Sequence, residues 1–99
     1  MSNRWFMGKT VEIKVTGKVQ GVYFRKYTQE KANALELVGW VQNQADGSVH
    51  ILAYGPEQDL DELIAFCHLG SPQADVKAVE VRAAENHAAG EYFNIRPTP

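Results

Sequence analysis

Apolar and polar residues alternate over Val11-Glu12-Ile13-Lys14-Val15, the period-two pattern of a half-buried strand. A strand from about Lys9 to Thr16 is expected, with Val11, Ile13 and Val15 facing inward. The period then changes. Phe24, Thr28, Ala32 and Leu35 recur at helical spacing and predict a helix from about Phe24 to Glu36, with Lys31 at the edge of its apolar stripe. Gly39 to Asn43 and Ser48 to Tyr54 read as second and third strands joined by an Asp46-Gly47 hairpin signal, with room for a loop longer than two residues. Gly55-Pro56 breaks the third strand and opens a second helix. Leu60, Leu63, Ile64 and Cys67 form its apolar stripe, and Gly70 is its expected C-cap. Ser71-Pro72 stops it. Val76 to Ala84 reads as a fourth strand. Val79 and Val81 share one phase while Ala74 and Val76 take the other, so a bulge or a late strand start is expected. A polar loop from Glu85 to Glu91 precedes a short last strand, Tyr92 to Arg96, ended by Pro97.

The order βαββαβ predicts an α+β fold of the split βαβ type, with two helices covering one face of an antiparallel sheet. At 99 residues the chain is expected to form one domain, with its core from about residue 9 to 96. The first eight residues show no period; Trp5-Phe6-Met7 is free to pack on the domain, and the first few residues are expected to be loose. A net charge of -2 offers no general attraction to nucleic acid or an anionic membrane, so any anion site must be local. No apolar run approaches the roughly 18 residues of a membrane span. One cysteine makes no internal disulfide, and the cytoplasm is the default location. With no obvious sticky face, a monomer is expected.

The stretch Gly17-Lys18-Val19-Gln20-Gly21-Val22-Tyr23-Phe24-Arg25 joins the first strand to the first helix. Backbone N–H groups are free at such a junction, and the helix N-terminus gathers partial positive charge. Two glycines let the backbone curl towards a ligand, and Arg25 supplies a planar fork for paired hydrogen bonds to phosphate. Residues Gln20, Gly21, Val22, Tyr23, Phe24 and Arg25 are therefore read as a phosphate cradle. Asn43 is the second candidate. Alone it is a turn residue. If the first and second strands lie side by side, its strand end approaches the cradle, where its amide can hold and aim a water.

Other reactive side chains read as structural or solvated. His50, His68 and His87 have no metal-ligand spacing to another His or Cys. Cys67 lies on an apolar helix face and reads as a small core residue. Glu57, Asp59, Asp61 and Glu62 suit the start of the second helix. Trp40, Tyr54, Tyr92 and Phe93 could form an aromatic platform, but core packing is the favoured reading.

The stretch from Gly17 to Arg25 resembles the acylphosphatase signature, and Gly39-Trp40-Val41-Gln42-Asn43 with Asp46-Gly47-Ser48-Val49 resembles that family's second motif. The likeness runs from about Val11 to Ile95, including Gly55-Pro56 and the pattern of Ala74, Val76, Val79 and Val81. It implies a ferredoxin-like fold, hydrolysis of acyl phosphates to a carboxylate and inorganic phosphate, no metal or other cofactor, and catalytic roles for Arg25 and Asn43. Glu36 and Ser71 stand where many members carry glycine and proline; both are read as lying outside the cradle. Two other classes compete: a non-catalytic anion- or RNA-binding module, for which no basic stripe speaks, and a domain of the kind found in larger hydrogenase-maturation proteins.

Overall fold

The computed structural model describes residues 8–85 and 91–99. Expectations for Trp5-Phe6-Met7, for His87 and for most of the loop after Glu85 lie outside the described residues. Along the chain come β1 (Gly8–Lys18), α1 (Phe24–Ala34), β2 (Val38–Asn43), β3 (Val49–Pro56), α2 (Glu57–Leu69), β4 (Asp75–Ala83) and β5 (Phe93–Arg96). The strands form one sheet in the order β4-β1-β3-β2-β5.

Alternation makes the sheet two-faced. Ile13, Val15, Val41, Val49, Ile51 and Ala53 turn to one side and are buried, joined there by Phe24, Ala32, Leu60, Leu63 and Cys67 from the helices. Burying each large aliphatic side chain contributes about 1.5–3 kcal/mol. Glu12, Lys14, His50 and Leu52 fall on the other side and are only half-buried.

Two expectations are refined and a third is met. The first four strands pair antiparallel, but β5 joins β2 in parallel, so the sheet is mixed. β1 and β2 are not neighbours, because β3 runs between them. Their matching ends still align: Val15 lies opposite Val49, and Val49 opposite Asn43. The expected bulge is present, where the β1–β4 register shifts between Thr16 and Gly17.

The β2–β3 connection is tighter than its five residues suggest. Gln44 N–H donates to Ser48 O at 2.9 Å, and Gly47 N–H to Gln44 O at 3.1 Å. Gly47 has φ 93°, the left-handed conformation that closes a three-residue hairpin loop. β5 is short and is held by side chains of α1. Asn33 Oδ1 accepts from Phe93 N–H at 3.0 Å, while Gln29 Nε2 donates to Phe93 O at 3.1 Å. The Phe93 ring is fully buried.

The aromatic residues divide. Phe93 is buried in the core, Tyr54 is buried in a separate small cluster with Val38 and Leu52, and Tyr92 is 67% exposed. Trp40 is half-buried on the sheet face away from the helices, with the Arg96 guanidinium 4.7 Å from its ring centre. Their apolar faces serve different layers, which is why no single platform forms.

Candidate active site

The cradle is built by alternating anchors and exposed links. Val19, Val22 and Phe24 are buried, so the loop is pulled onto the core at three points. Gly21 has φ 76° while nothing lies within 4 Å of the place its Cβ would occupy. Conformation rather than space therefore requires glycine there. Tyr23 also takes the left-handed conformation, with φ 63°, although it is aromatic and 72% exposed. Such a residue costs about 1–2 kcal/mol. Strain of this kind persists only where the surroundings over-determine the backbone, as they do at ligand sites. Here the buried side chains on both sides of Tyr23 fix where its neighbours sit and supply part of the constraint.

The helix start is electrostatically unfinished. α1 has no acidic residue in its first turn, yet Arg25 and Lys26 sit there, where the helix dipole disfavours cations. α2 shows the usual arrangement, with Glu57 and Asp59 in its first turn. Among the described residues no carboxylate pairs with Arg25, and the first backbone bond of α1 is from Tyr27 N–H to Tyr23 O. An arginine beside the N–H groups that precede a helix is an arrangement whose chemistry suits an anion.

Asn43 stands at the end of β2, on the helix side of the sheet, and is 8% exposed. Its Oδ1 is buried and has no hydrogen-bond partner, a state that costs about 1–3 kcal/mol. An unpaired buried acceptor calls for an explanation, and a bound water or substrate supplies one. Asn43 and Arg25 line one cleft of about 360 Å3, together with Val19, Gly21, Tyr23, Phe24, Lys26 and Ile95. The two residues singled out from sequence thus meet, although they come from different elements.

Gln20, expected to belong to the cradle through its backbone, makes its side-chain bonds elsewhere. Its Nε2 donates to Gln44 O and Ser48 O, each at 2.8 Å, the two residues that close the β2–β3 hairpin. Gln20 therefore ties the cradle to the loop that follows Asn43. Ser71, expected to lie outside the cradle, touches it: its Oγ–H donates to Val22 O at 2.7 Å. Lys26 and Ile95 also line the cleft and were missed by sequence reasoning. Lys26 could have been found from its place in the first turn, but Ile95 could not, because its position depends on β5 pairing with β2.

Elsewhere the surface is quiet. A larger hollow, about 470 Å3, lies on the open sheet face around Glu12, Lys14, His50, Glu80, Val81 and Arg82. Its cations are already paired, Arg82 with Glu12 at 2.8 Å and Lys14 with Asp46 at 3.5 Å, whereas Arg25 has no carboxylate partner among the described residues. Burial pushes the Cys67 thiol up to about 12, so it is a core residue and not a nucleophile at neutral pH. His68 is exposed in the last turn of α2.

The acylphosphatase family model matches residues 11–95. Acylphosphatase from Rhizorhabdus wittichii is 46% identical over 86 residues, which covers 87% of this chain and 86% of that one. The solved structure of an acylphosphatase from Coxiella burnetii superimposes with TM-score 0.88 at 32% identity, over 97% of this chain and all of that one. Full-length HypF in its phosphate- and nucleotide-bound form contains a similar unit, with TM-score 0.79 and 27% identity, but only 12% of its length is covered. The match spans the cradle, the second motif and both ends of the sheet, and the chain belongs to the acylphosphatase family and hydrolyses acyl phosphates.

Proposed function

We propose that Arg25 and Asn43 carry this hydrolysis, with the backbone of residues 20–25 as the phosphate-binding loop. The observation that carries the reading is the cleft that Arg25, which pairs with no carboxylate among the described residues, shares with the unpaired buried amide oxygen of Asn43. The phosphoryl group of R–CO–O–PO3(2−) lies in the cradle. Backbone N–H groups and the Arg25 fork bind its oxygens and stabilise the charge that spreads over them in the transition state. Asn43 Oδ1 accepts a hydrogen bond from the attacking water and holds it opposite the leaving oxygen. The water oxygen forms a bond to phosphorus as the bond from phosphorus to the acyl oxygen breaks. A carboxylate leaves, and the water's proton passes to a phosphoryl oxygen, giving dihydrogen phosphate. The carboxylate is a good leaving group and needs no general acid. The enzyme so described is a cytoplasmic monomer that acts on small molecules and not on nucleic acid, the last in keeping with its net charge of -2.

The test is hydrolysis of benzoyl phosphate in the presence of EDTA. Arg25→Ala should lower kcat/KM by about a thousandfold or more, in the range of arginines that stabilise phosphoryl transfer. Asn43→Ala should lower kcat by about a hundredfold, the scale of a lost positioning contact. Full kcat in a folded Asn43→Ala variant would remove that residue from the mechanism. An anion-binding module would show phosphate binding with no turnover by the wild type.

A further inference from the structure

The last turn of α2 and the corner after it meet the cradle at two places. The Phe66 and Phe24 rings lie 5.8 Å apart, and Ser71 Oγ–H donates to Val22 O at 2.7 Å. Ser71 is 3% exposed. Its own backbone is fixed, since Ala74 N–H donates to Ser71 O at 3.0 Å directly after the Gly70 cap. The hydroxyl is therefore a stationary donor and not a rotating surface group.

We infer that Ser71 is a positioning residue for phosphate binding: by holding the Val22 carbonyl, it aims the Tyr23 N–H at the phosphoryl group. A trans peptide directs its C=O and the following N–H to opposite sides. Turning the Val22 oxygen towards Ser71 thus turns the Tyr23 N–H away from Ser71. Gly21 and Tyr23 both line the cleft. The same peptide enters the left-handed Tyr23 conformation, which no local preference maintains. Buried side chains fix where Val22 and Phe24 sit, but they leave the peptide plane between Val22 and Tyr23 able to rotate. The Ser71 bond removes that freedom.

The inference rests on residues 20–25 being the phosphate cradle, so the experiment separates the two. Inorganic phosphate is titrated into wild type, Ser71→Ala and Ser71→Thr while the Tyr23 amide proton is followed by NMR, and its inhibition constant against benzoyl phosphate is measured. In the wild type the Tyr23 amide should shift downfield on binding. In Ser71→Ala that shift should shrink, and the inhibition constant and KM should rise together by about tenfold, the scale of one misdirected hydrogen bond to a charged group. Ser71→Thr keeps the hydroxyl and should return the constant towards wild type. An equal shift and an equal inhibition constant in wild type and Ser71→Ala would overturn the inference alone. So would equal losses in folded Ala and Thr variants. No phosphate response in the wild type would overturn the cradle reading, and this inference with it. A purely structural bond would change the urea midpoint and leave the constants of the folded enzyme unmoved.

Discussion

Single residues around the site are held by bonds that a sequence does not display. Asp46 is an example. Ser48 donates to its Oδ1 twice, from Oγ–H at 2.6 Å and from N–H at 2.9 Å. These bonds, with help from Lys14, lower the Asp46 pKa from 3.8 to about 2. A carboxyl group with a depressed folded-state pKa contributes stability that is present above its unfolded value. That contribution should therefore be intact above about pH 4 and fade as pH falls towards 2. Carboxyl-carbon NMR should show Asp46 titrating near the lower value, and Ser48→Ala should return it towards the ordinary range. A Ser48→Ala protein in which Asp46 still titrates near 2 would assign the shift to the backbone N–H of residue 48 and to Lys14 instead. Asp46 was legible as a turn residue because its chemistry is local. Its two bonds to Ser48 were not, since they need the turn already formed.

Helix α1 shows how an element ends against local preference. Leu37 N–H donates to Ala32 O at 2.9 Å and Glu36 N–H to Asn33 O at 3.0 Å, the paired bonds of a Schellman motif. The residue between, Glu36, has φ 59°, where glycine is usual. Replacing it should relieve about 1–2 kcal/mol of left-handed strain, offset by about 0.5–1 kcal/mol of added chain entropy. Glu36→Gly should thus stabilise the protein by about 0.5–1 kcal/mol with kcat unchanged. A urea midpoint at or below the wild-type value would show that Glu36 makes compensating contacts. The strands and helices were legible because alternation and helical spacing are properties of neighbouring residues. β5 was legible as a strand, but its parallel pairing with β2 was not, because its partner is distant in the chain. Asn33 and Gln29, which secure it, look like ordinary helix-surface residues in the sequence.

At the scale of the whole molecule, the site depends on the relative placement of two loops. The cradle follows β1 and Asn43 ends β2, and β3 separates the two strands. Alignment across Val15, Val49 and Asn43 sets this distance coarsely. Gln20 sets it finely, through its two bonds to the hairpin beyond Asn43. Arg25 and Asn43 were each readable from a local motif, but the bridge between the motifs was hidden, since a glutamine in a phosphate loop invites the reading that it binds phosphate. The two roles predict different kinetics. As a bridge, Gln20→Ala should leave the cradle intact, so the inhibition constant for phosphate should change less than about twofold. Asn43 would lose its registration with the phosphoryl group, and kcat should fall by about tenfold, part of the roughly hundredfold that a misplaced group can cost. Stability should fall by only about 1 kcal/mol. Gln44 O and Ser48 O keep their bonds from Gly47 N–H and Gln44 N–H, so neither carbonyl is orphaned. If Gln20 instead held phosphate, the inhibition constant would rise at least as much as kcat falls. Measuring both constants on one folded variant decides between a residue that grips the substrate and one that aligns the two halves of the site.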